Sequence, residues 1–132
     1  MSDVLADTSV WMRRGSDDVA VQLAEALESD RVVMTTVIEL ELLRAARSAD
    51  ALGGLAREYG ILRRIPLSTA IEARAVEVLG KLAWRGYHRG PSPVDLMAAA
   101  AAEDAGAELW HCDRHFELIA DVTGQPMRRL GA

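Results

Sequence analysis

A single cysteine, Cys112, stands in a chain of 132 residues. A disulfide within the chain is therefore excluded, and a reducing compartment is compatible with the sequence. No apolar run approaches the ~20 residues that a membrane span requires. The opening Met1-Ser2-Asp3-Val4 lacks the basic and apolar regions of a secretory leader. These absences lead to the expectation of a cytoplasmic protein with no membrane partner. Positive charge is also short: the net charge is −5, and Lys81 is the one lysine among 15 basic residues. That sign is wrong for a simple phosphate-binding surface. Either nucleic acid is not the partner, or some carboxylates hold cations. Four carboxylates neutralised by divalent metal would bring the net charge from −5 to −1, and arginines could then dominate locally. Arginine suits bidentate phosphate contacts better than lysine, although genomic base composition can favour it as well.

What is present is an ordinary globular balance, 50% apolar and 27% charged, in a length that makes one domain over 1–132. Short apolar runs alternate with helical patterns. Val4-Leu5-Ala6, Arg31-Val32-Val33-Met34 and Leu109-Trp110-His111 read as buried strands, with Ile61-Leu62 a shorter one and Pro126 to Leu130 an edge strand. Helices are expected from Asp17 to Glu28, with Val21, Leu23 and Leu27 inward, from Thr36 to Arg47, from Ala49 to Tyr59 and from Thr69 to Arg85. Thr36 with Glu39, and Thr69 with Glu72, fit capping boxes. After the turn-rich stretch from Gly86 to Pro91, Ser92 can cap the next helix, with Pro93 first and Asp95 third in it. That helix carries the alanine run Ala98 to Ala102, and a last one runs from Asp113 to Val122. Strands separated by helices imply an α/β protein, a parallel sheet with helices on both faces.

Acidic residues fall where such a fold gathers ligands, beyond the carboxyl ends of the strands. Asp7 follows the first strand and Asp113 the Leu109-Trp110-His111 strand. Glu41 lies in the helix after the second strand, and Asp95 opens the helix after the Gly/Pro turn. Converging carboxylates repel one another unless a cation intervenes, and hard oxygen donors suit Mg²⁺ or Mn²⁺. Two such ions ~3.5–4 Å apart can activate water and stabilise the leaving oxygen in phosphodiester cleavage. Each acid also has a plainer role open to it: a strand-end turn for Asp7, a favourable helix-dipole position for Asp95, a cap for Asp113. Glu39 and Glu41 differ by ~200° around their helix, so one site cannot easily use both. Glu39 is assigned to the capping box. Glu41 stands among Val37, Ile38 and Ala45, where a carboxylate needs a partner, and it is the one selected.

Four segments then carry a resemblance. Val4 to Trp11 resembles the opening of PIN domains, an apolar strand running into Asp7-Thr8-Ser9. Thr36 to Leu43 is similar to the helix with the family's acidic residue, Glu41-Leu42 matching its Glu-Leu pair. Pro93 to Ala101 resembles the third motif, an Asp followed by apolar residues and alanines, and Leu109 to Ile119 the fourth. Their order spans nearly the whole chain, and the length is that of the VapC toxins within the family. The resemblance implies a three-layer α/β/α PIN-like fold with a mostly parallel sheet of four to five strands. It implies a Mg²⁺- or Mn²⁺-dependent endoribonuclease acting on cellular RNA. Asp7, Asp95 and Asp113 would ligate metal, and Glu41 would ligate it or orient the attacking water. Ser9 would hydrogen-bond a carboxylate or a water on the metal. A homodimer and a cognate VapB-type antitoxin are the implied partners. One departure concerns the fourth motif, where His111 and Cys112 replace a usual Thr or Ser, and Glu117 could supplement that site.

Other residues have weaker claims. His88 and Arg89, with Trp84 and Tyr87 nearby, could contact RNA by charge and stacking, or form a solvated loop with Trp84 over the core. His111 and His115 have the spacing of a zinc pair, but His111 sits in a strand. Arg13-Arg14 and Arg63-Arg64 are expected to be solvated or to touch the antitoxin. Cys112 is a small buried residue rather than a nucleophile, since no activating base is placed near it. Two rival functions remain open: a PIN-type RNA-processing nuclease with no toxin role, and a non-catalytic receiver-like or RNA-binding domain. A receiver would want its phosphoacceptor after the third strand, where Ile65-Pro66-Leu67 stands, and Lys81 falls in mid-helix.

Overall fold

The computed structural model describes residues 1–13 and 17–131; Arg14, of the Arg13-Arg14 pair, lies outside them. In chain order the elements are β1 (Val4–Ala6), α1 (Thr8–Trp11), α2 (Asp17–Glu28), β2 (Val32–Met34), α3 (Thr36–Arg44), α4 (Ala49–Gly60), β3 (Arg63–Arg64), α5 (Thr69–Trp84), α6 (Pro93–Ala105), β4 (Glu108–His111), α7 (His115–Thr123) and β5 (Met127–Arg129). The five strands form one sheet in the order β3-β2-β1-β4-β5, and every pairing is parallel. All three residues of β1 and all three of β2 are buried. Neighbouring residues on a strand face opposite ways, so both faces of the sheet are covered by helices.

The chain leaves β1 toward β2 and β3, then returns to the other side of β1 for β4 and β5. The order therefore reverses between β1 and β4, and a crevice forms beyond the carboxyl ends of those two strands. Helices in such a fold run antiparallel to the strands, which brings the N-termini of α3 and α6 to the same end. Inside α6, all of Ala98 to Ala102 are buried, because small side chains let the helix lie close to its neighbours. Phe116 and Ile119 of α7 are fully covered, each contributing about 1.5–3 kcal/mol of burial free energy.

Several local expectations change. Thr35, not Thr36, is the N-cap of α3, and it makes no side-chain cap bond; its hydroxyl donates to the Ile65 carbonyl at 3.3 Å instead. Ser68, not Thr69, caps α5 through the Ile71 amide. In both places adjacent hydroxyl residues compete, and backbone dihedrals rather than composition choose between them. The third strand is Arg63–Arg64, in register with Val33 and Met34, and not Ile61-Leu62; Ile61 is 85% exposed at the end of α4. Val21 faces solvent, and Val19, Leu23 and Ala26 make the inner side of α2. Trp84 is 93% exposed and does not cover the core. The last helix begins at His115 rather than Asp113. Among the described residues no helix is long and apolar enough to cross a membrane.

Candidate active site

Asp7 is the first residue beyond β1 and the N-cap of α1. Its Oδ2 accepts the Ser9 amide at 3.0 Å and the Ser9 hydroxyl at 2.7 Å. The Ser9 oxygen in turn accepts the Cys112 amide at 3.0 Å, and the Asp7 amide donates to the Trp110 carbonyl at 2.8 Å. A single hydroxyl thus ties the end of β1 to the end of β4 and fixes the rotamer of the Asp7 carboxylate between them. Burial leaves Asp7 only 5% exposed.

Asp95 sits in the first turn of α6 in a complete capping box. Its Oδ2 accepts the Ser92 amide at 2.9 Å, and the Ser92 hydroxyl accepts the Asp95 amide at 3.1 Å. The box orients the carboxylate while leaving it half-buried, so the capping role and a role in a site are compatible. Asp113 follows β4 and accepts the His115 amide on Oδ1 at 2.9 Å. Glu41, in α3, is exposed and accepts the Thr8 hydroxyl on Oε1 at 2.6 Å. It does not lie on an apolar side, and its partner is Thr8. Glu39 points elsewhere, paired with Arg64 at 2.5 Å, and is not held in a capping box.

Electrostatics link the four acids. Burial is the main force raising the Asp7 pKa above its ordinary value, opposed by the Ser9 hydrogen bonds and reinforced by the charge of Asp95. Asp95 is also raised, first by burial, then by the charges of Asp113 and Glu41, against the Ser92 bonds that lower it. Asp95 is therefore the electrostatic centre of the group. His111, beneath them, has its pKa lowered by burial, although Glu117 and Asp7 pull the other way. A buried neutral imidazole packed on Phe116, with ring centroids 5.2 Å apart, is a packing residue and not half of a zinc pair with His115.

Among the described residues, no three Asp, Glu, His or Cys side chains already surround one point as a finished ligand set. The donor set itself fits a hard divalent cation: carboxylate oxygens only, two of them on Asp7 and Asp95, whose pKa values are raised by burial and by the charges of neighbouring acids. A cation among them would reverse both raised pKa values.

The remaining residues divide. Glu117 is paired with Arg129 at 3.0 Å and is exposed, so it enters a shared set only by breaking that pair. His88 and Arg89 are exposed in the turn between α5 and α6. Arg63 and Arg64 are engaged within the chain, with Asp3 and Glu39. Cys112 is half-buried, and its amide rather than its thiol serves the site. Sequence reasoning passed over Thr8, the residue that orients Glu41; its place between Asp7 and Ser9 was the available signal.

Comparison with known proteins places this geometry in context. The sequence profile of the PIN domain family matches residues 4–122. Ribonuclease VapC18 of Mycobacterium tuberculosis is 37% identical over 122 residues, 91% of this chain and 89% of that protein. A chain of DNA-bound VapBC from Salmonella typhimurium superposes with a TM-score of 0.76 at 21% identity, covering 98% of each. VapBC-5 of Mycobacterium tuberculosis, from the VapBC family of toxin–antitoxin systems, gives 0.68 at 22% identity over 100% of both chains.

Proposed function

The chain belongs to the PIN domain family, and within it to the VapC ribonucleases; from that premise we propose that it is a Mg²⁺- or Mn²⁺-dependent endoribonuclease, the toxin of a toxin–antitoxin pair. One observation carries the reading. Asp7 and Asp95 stand at the crevice where the strand order reverses, and both have pKa values raised first by burial and further by neighbouring carboxylates, Asp95 acting on Asp7 and Asp113 and Glu41 on Asp95. A stable fold gains nothing from such repulsion, whereas a cation site needs it.

Asp7, Asp95 and Asp113 would hold the metal, with Glu41 as a fourth ligand or as the group that orients the attacking water. A divalent ion bound there would lower the pKa of water and offset the charge that develops on phosphodiester oxygens. The rest is the work of the chain. Ser9 and the capping box hold two carboxylates in fixed rotamers, so little ordering is left to the moment of binding. Thr8 aims Glu41, which is exposed and so able to meet water or RNA. His88 and Arg89 stand on the exposed turn between α5 and α6 as contacts for the RNA backbone.

The partner is an antitoxin of VapB type, and the working form is a homodimer in the cytoplasm. An open apolar cleft lined by Trp11, Leu27, Tyr59, Ile61 and Leu62 supports the antitoxin, since an apolar segment would cover the exposed Ile61.

Purified protein incubated with RNA and Mg²⁺ or Mn²⁺, beside EDTA and an Asp7→Asn variant, tests the reading. Cleavage should vanish with EDTA and fall at least about 100-fold in Asp7→Asn, more than loss of a supporting group costs. Cleavage that survives either treatment overturns it.

A further inference from the structure

Beside Asp113 the surface opens into a cleft of ≈ 430 Å³ lined by Tyr87, Gly90, Arg114, His115, Glu117, Leu118 and Asp121. The volume is in the range of small-ligand pockets, roughly 300–1,000 Å³. Two segments far apart in sequence build it: the turn between α5 and α6, and α7 with its N-cap Arg114. It adjoins the carboxylates through His115, whose amide binds Asp113 at 2.9 Å and whose Nδ1 lies 3.6 Å from the same oxygen. A ligand in the cleft would therefore lie next to whatever is held at Asp113.

The absence of a side chain at position 90 keeps the cleft open. A Cβ built on Gly90 would stand 3.3 Å from Leu118 Cδ1 and 3.7 Å from His115 Cδ2, so a branched side chain there would occupy the mouth. The remaining lining combines a flat aromatic edge, an apolar wall, the His115 imidazole, and the charges of Arg114, Asp121 and Glu117, the last paired with Arg129. Tyr87 is 49% exposed and Leu118 half-buried. Arg114 and Asp121 are exposed, and no ion pair joins either to another described residue. Single-stranded RNA is recognised by such a set, bases stacking on aromatic or apolar side chains and hydrogen-bonding along their edges.

We propose that this cleft receives one unpaired guanine base of the substrate, next to the bond that is cut. Guanine presents adjacent N1–H and N2–H₂ donors, which one carboxylate accepts together, and the O6/N7 acceptor pair, which one guanidinium donates to. Asp121 is the carboxylate and Arg114 the guanidinium, with Tyr87 as the stacking surface. A pyrimidine would leave part of the cleft unfilled, and adenine would present its amino group where Arg114 donates. Glu117 also borders the cleft, but its pairing with Arg129 at 3.0 Å leaves Asp121 as the acceptor. The inference rests on the ribonuclease reading above and adds to it the feature of RNA that is selected.

The test maps cleavage of a randomised single-stranded RNA by the wild-type protein with Mn²⁺, followed by Asp121→Asn, Arg114→Ala and Gly90→Val. Wild type should favour guanine at one position beside the cut by about tenfold or more, the discrimination of a bidentate contact. Asp121→Asn and Arg114→Ala, both on the surface, should each flatten that preference while cleavage of other sequences persists. Gly90→Val should lower kcat/KM for guanine-containing substrates about tenfold, with its thermal midpoint recorded as a control on folding. Inosine, which lacks the 2-amino group, should be discriminated against by wild type and not by Asp121→Asn. Cleavage without guanine preference, or with a preference unchanged in both surface variants, overturns the pocket and leaves the nuclease standing. Absence of any metal-dependent cleavage by wild type removes both.

Discussion

Asp3 and Asp7 flank the same strand, β1 (Val4–Ala6), and their carboxyl groups have opposite fates. Asp3, at the amino end, accepts both Nη groups of Arg63 at 3.0 Å, and that bond lowers its pKa from the ordinary 3.8. Arg63 also reaches the Asp30 carbonyl at 2.6 Å, so one guanidinium fastens that end of the sheet. Asp7, at the carboxyl end, is held by a neutral hydroxyl, and its pKa is raised first by burial and further by the charge of Asp95. The contrast shows how a fold marks a site. Acids that serve structure are matched with arginines, as Glu39 is with Arg64 and Glu103 with Arg74. Those at the crevice have hydroxyls, backbone amides and one imidazole as partners instead, and three of them lie close enough to Asp95 for their charges to interact with it. On the metal-dependent ribonuclease reading, a negatively charged chain could then meet RNA, because the charge to be offset would be concentrated where the proposed cation sits.

The largest test of this contrast is to supply the cation. A divalent ion that binds only the folded state adds about 2.7 kcal/mol at roughly 100 times its Kd. Unfolding monitored by heat with and without Mn²⁺ should show a large upward shift for wild type. Asp95→Asn, which removes the electrostatic centre of the group, should lose most of it. Asp3→Asn should keep it whole. An equal shift in Asp95→Asn and wild type would mean that the carboxylates of the crevice are not the ligands.

A smaller effect sharpens the carboxyl end. The Ser9 hydroxyl donates to Asp7 and accepts from Cys112, so Ser9→Ala frees the carboxylate to rotate and leaves an amide without its acceptor. Supporting groups of this kind typically change metal affinity or activity 10–100-fold, and a loss in that range is expected in Mn²⁺ titration and in RNA cleavage. Ser9→Thr, which keeps the hydroxyl, should recover much of it. Should Ser9→Ala lower only the thermal midpoint and leave metal affinity intact, the hydroxyl is a structural tie alone.

How far this was legible in the sequence follows from the same contrast. The parallel sheet could be read because β1, β2 and β4 are buried on both faces, and a run such as Val32-Val33-Met34 has few other uses. β3 escaped for the opposite reason: its residues are exposed arginines, held in the sheet by ladder bonds and by Asp3 and Glu39, so apolarity pointed two residues too early to Ile61-Leu62. Helix α1 is four residues long, too short for any periodicity, and only the Asp7 cap announces it. The choice of Glu41 over Glu39 rested on helix geometry and on a supposed apolar setting. Geometry separates the two, but the setting is solvent, and the partners that distinguish them, Thr8 and Arg64, come from distant segments that one sequence does not bring together. Nor could the cleft beside Asp113 be foreseen, since it exists only where Gly90 meets Leu118.

The smallest effect separates the two ends of β1 by pH, in metal-free buffer with a chelator present. An acid whose folded pKa is raised binds more protons folded than unfolded, so its contribution falls as pH rises from 3.8 through the folded value. Asp7 should therefore weaken the metal-free fold at neutral pH, and Asp7→Asn should be as stable as wild type or more so there, the difference closing on acidification. Asp3 is the mirror case. Its folded pKa is lowered, so its contribution is present above 3.8 and is lost as pH falls through the folded value. Asp3→Asn should lie slightly below wild type at neutral pH and converge with it in acid. Because Asp3 and Arg63 are largely exposed, that gap should be modest and should shrink at high salt. Denaturant midpoints for the three proteins across this range check both signs at once. If Asp7→Asn were the less stable variant at neutral pH, the buried Asp7 charge beside Asp95 would not be a cost to the fold, and the contrast between the two ends of β1 would lose its physical basis.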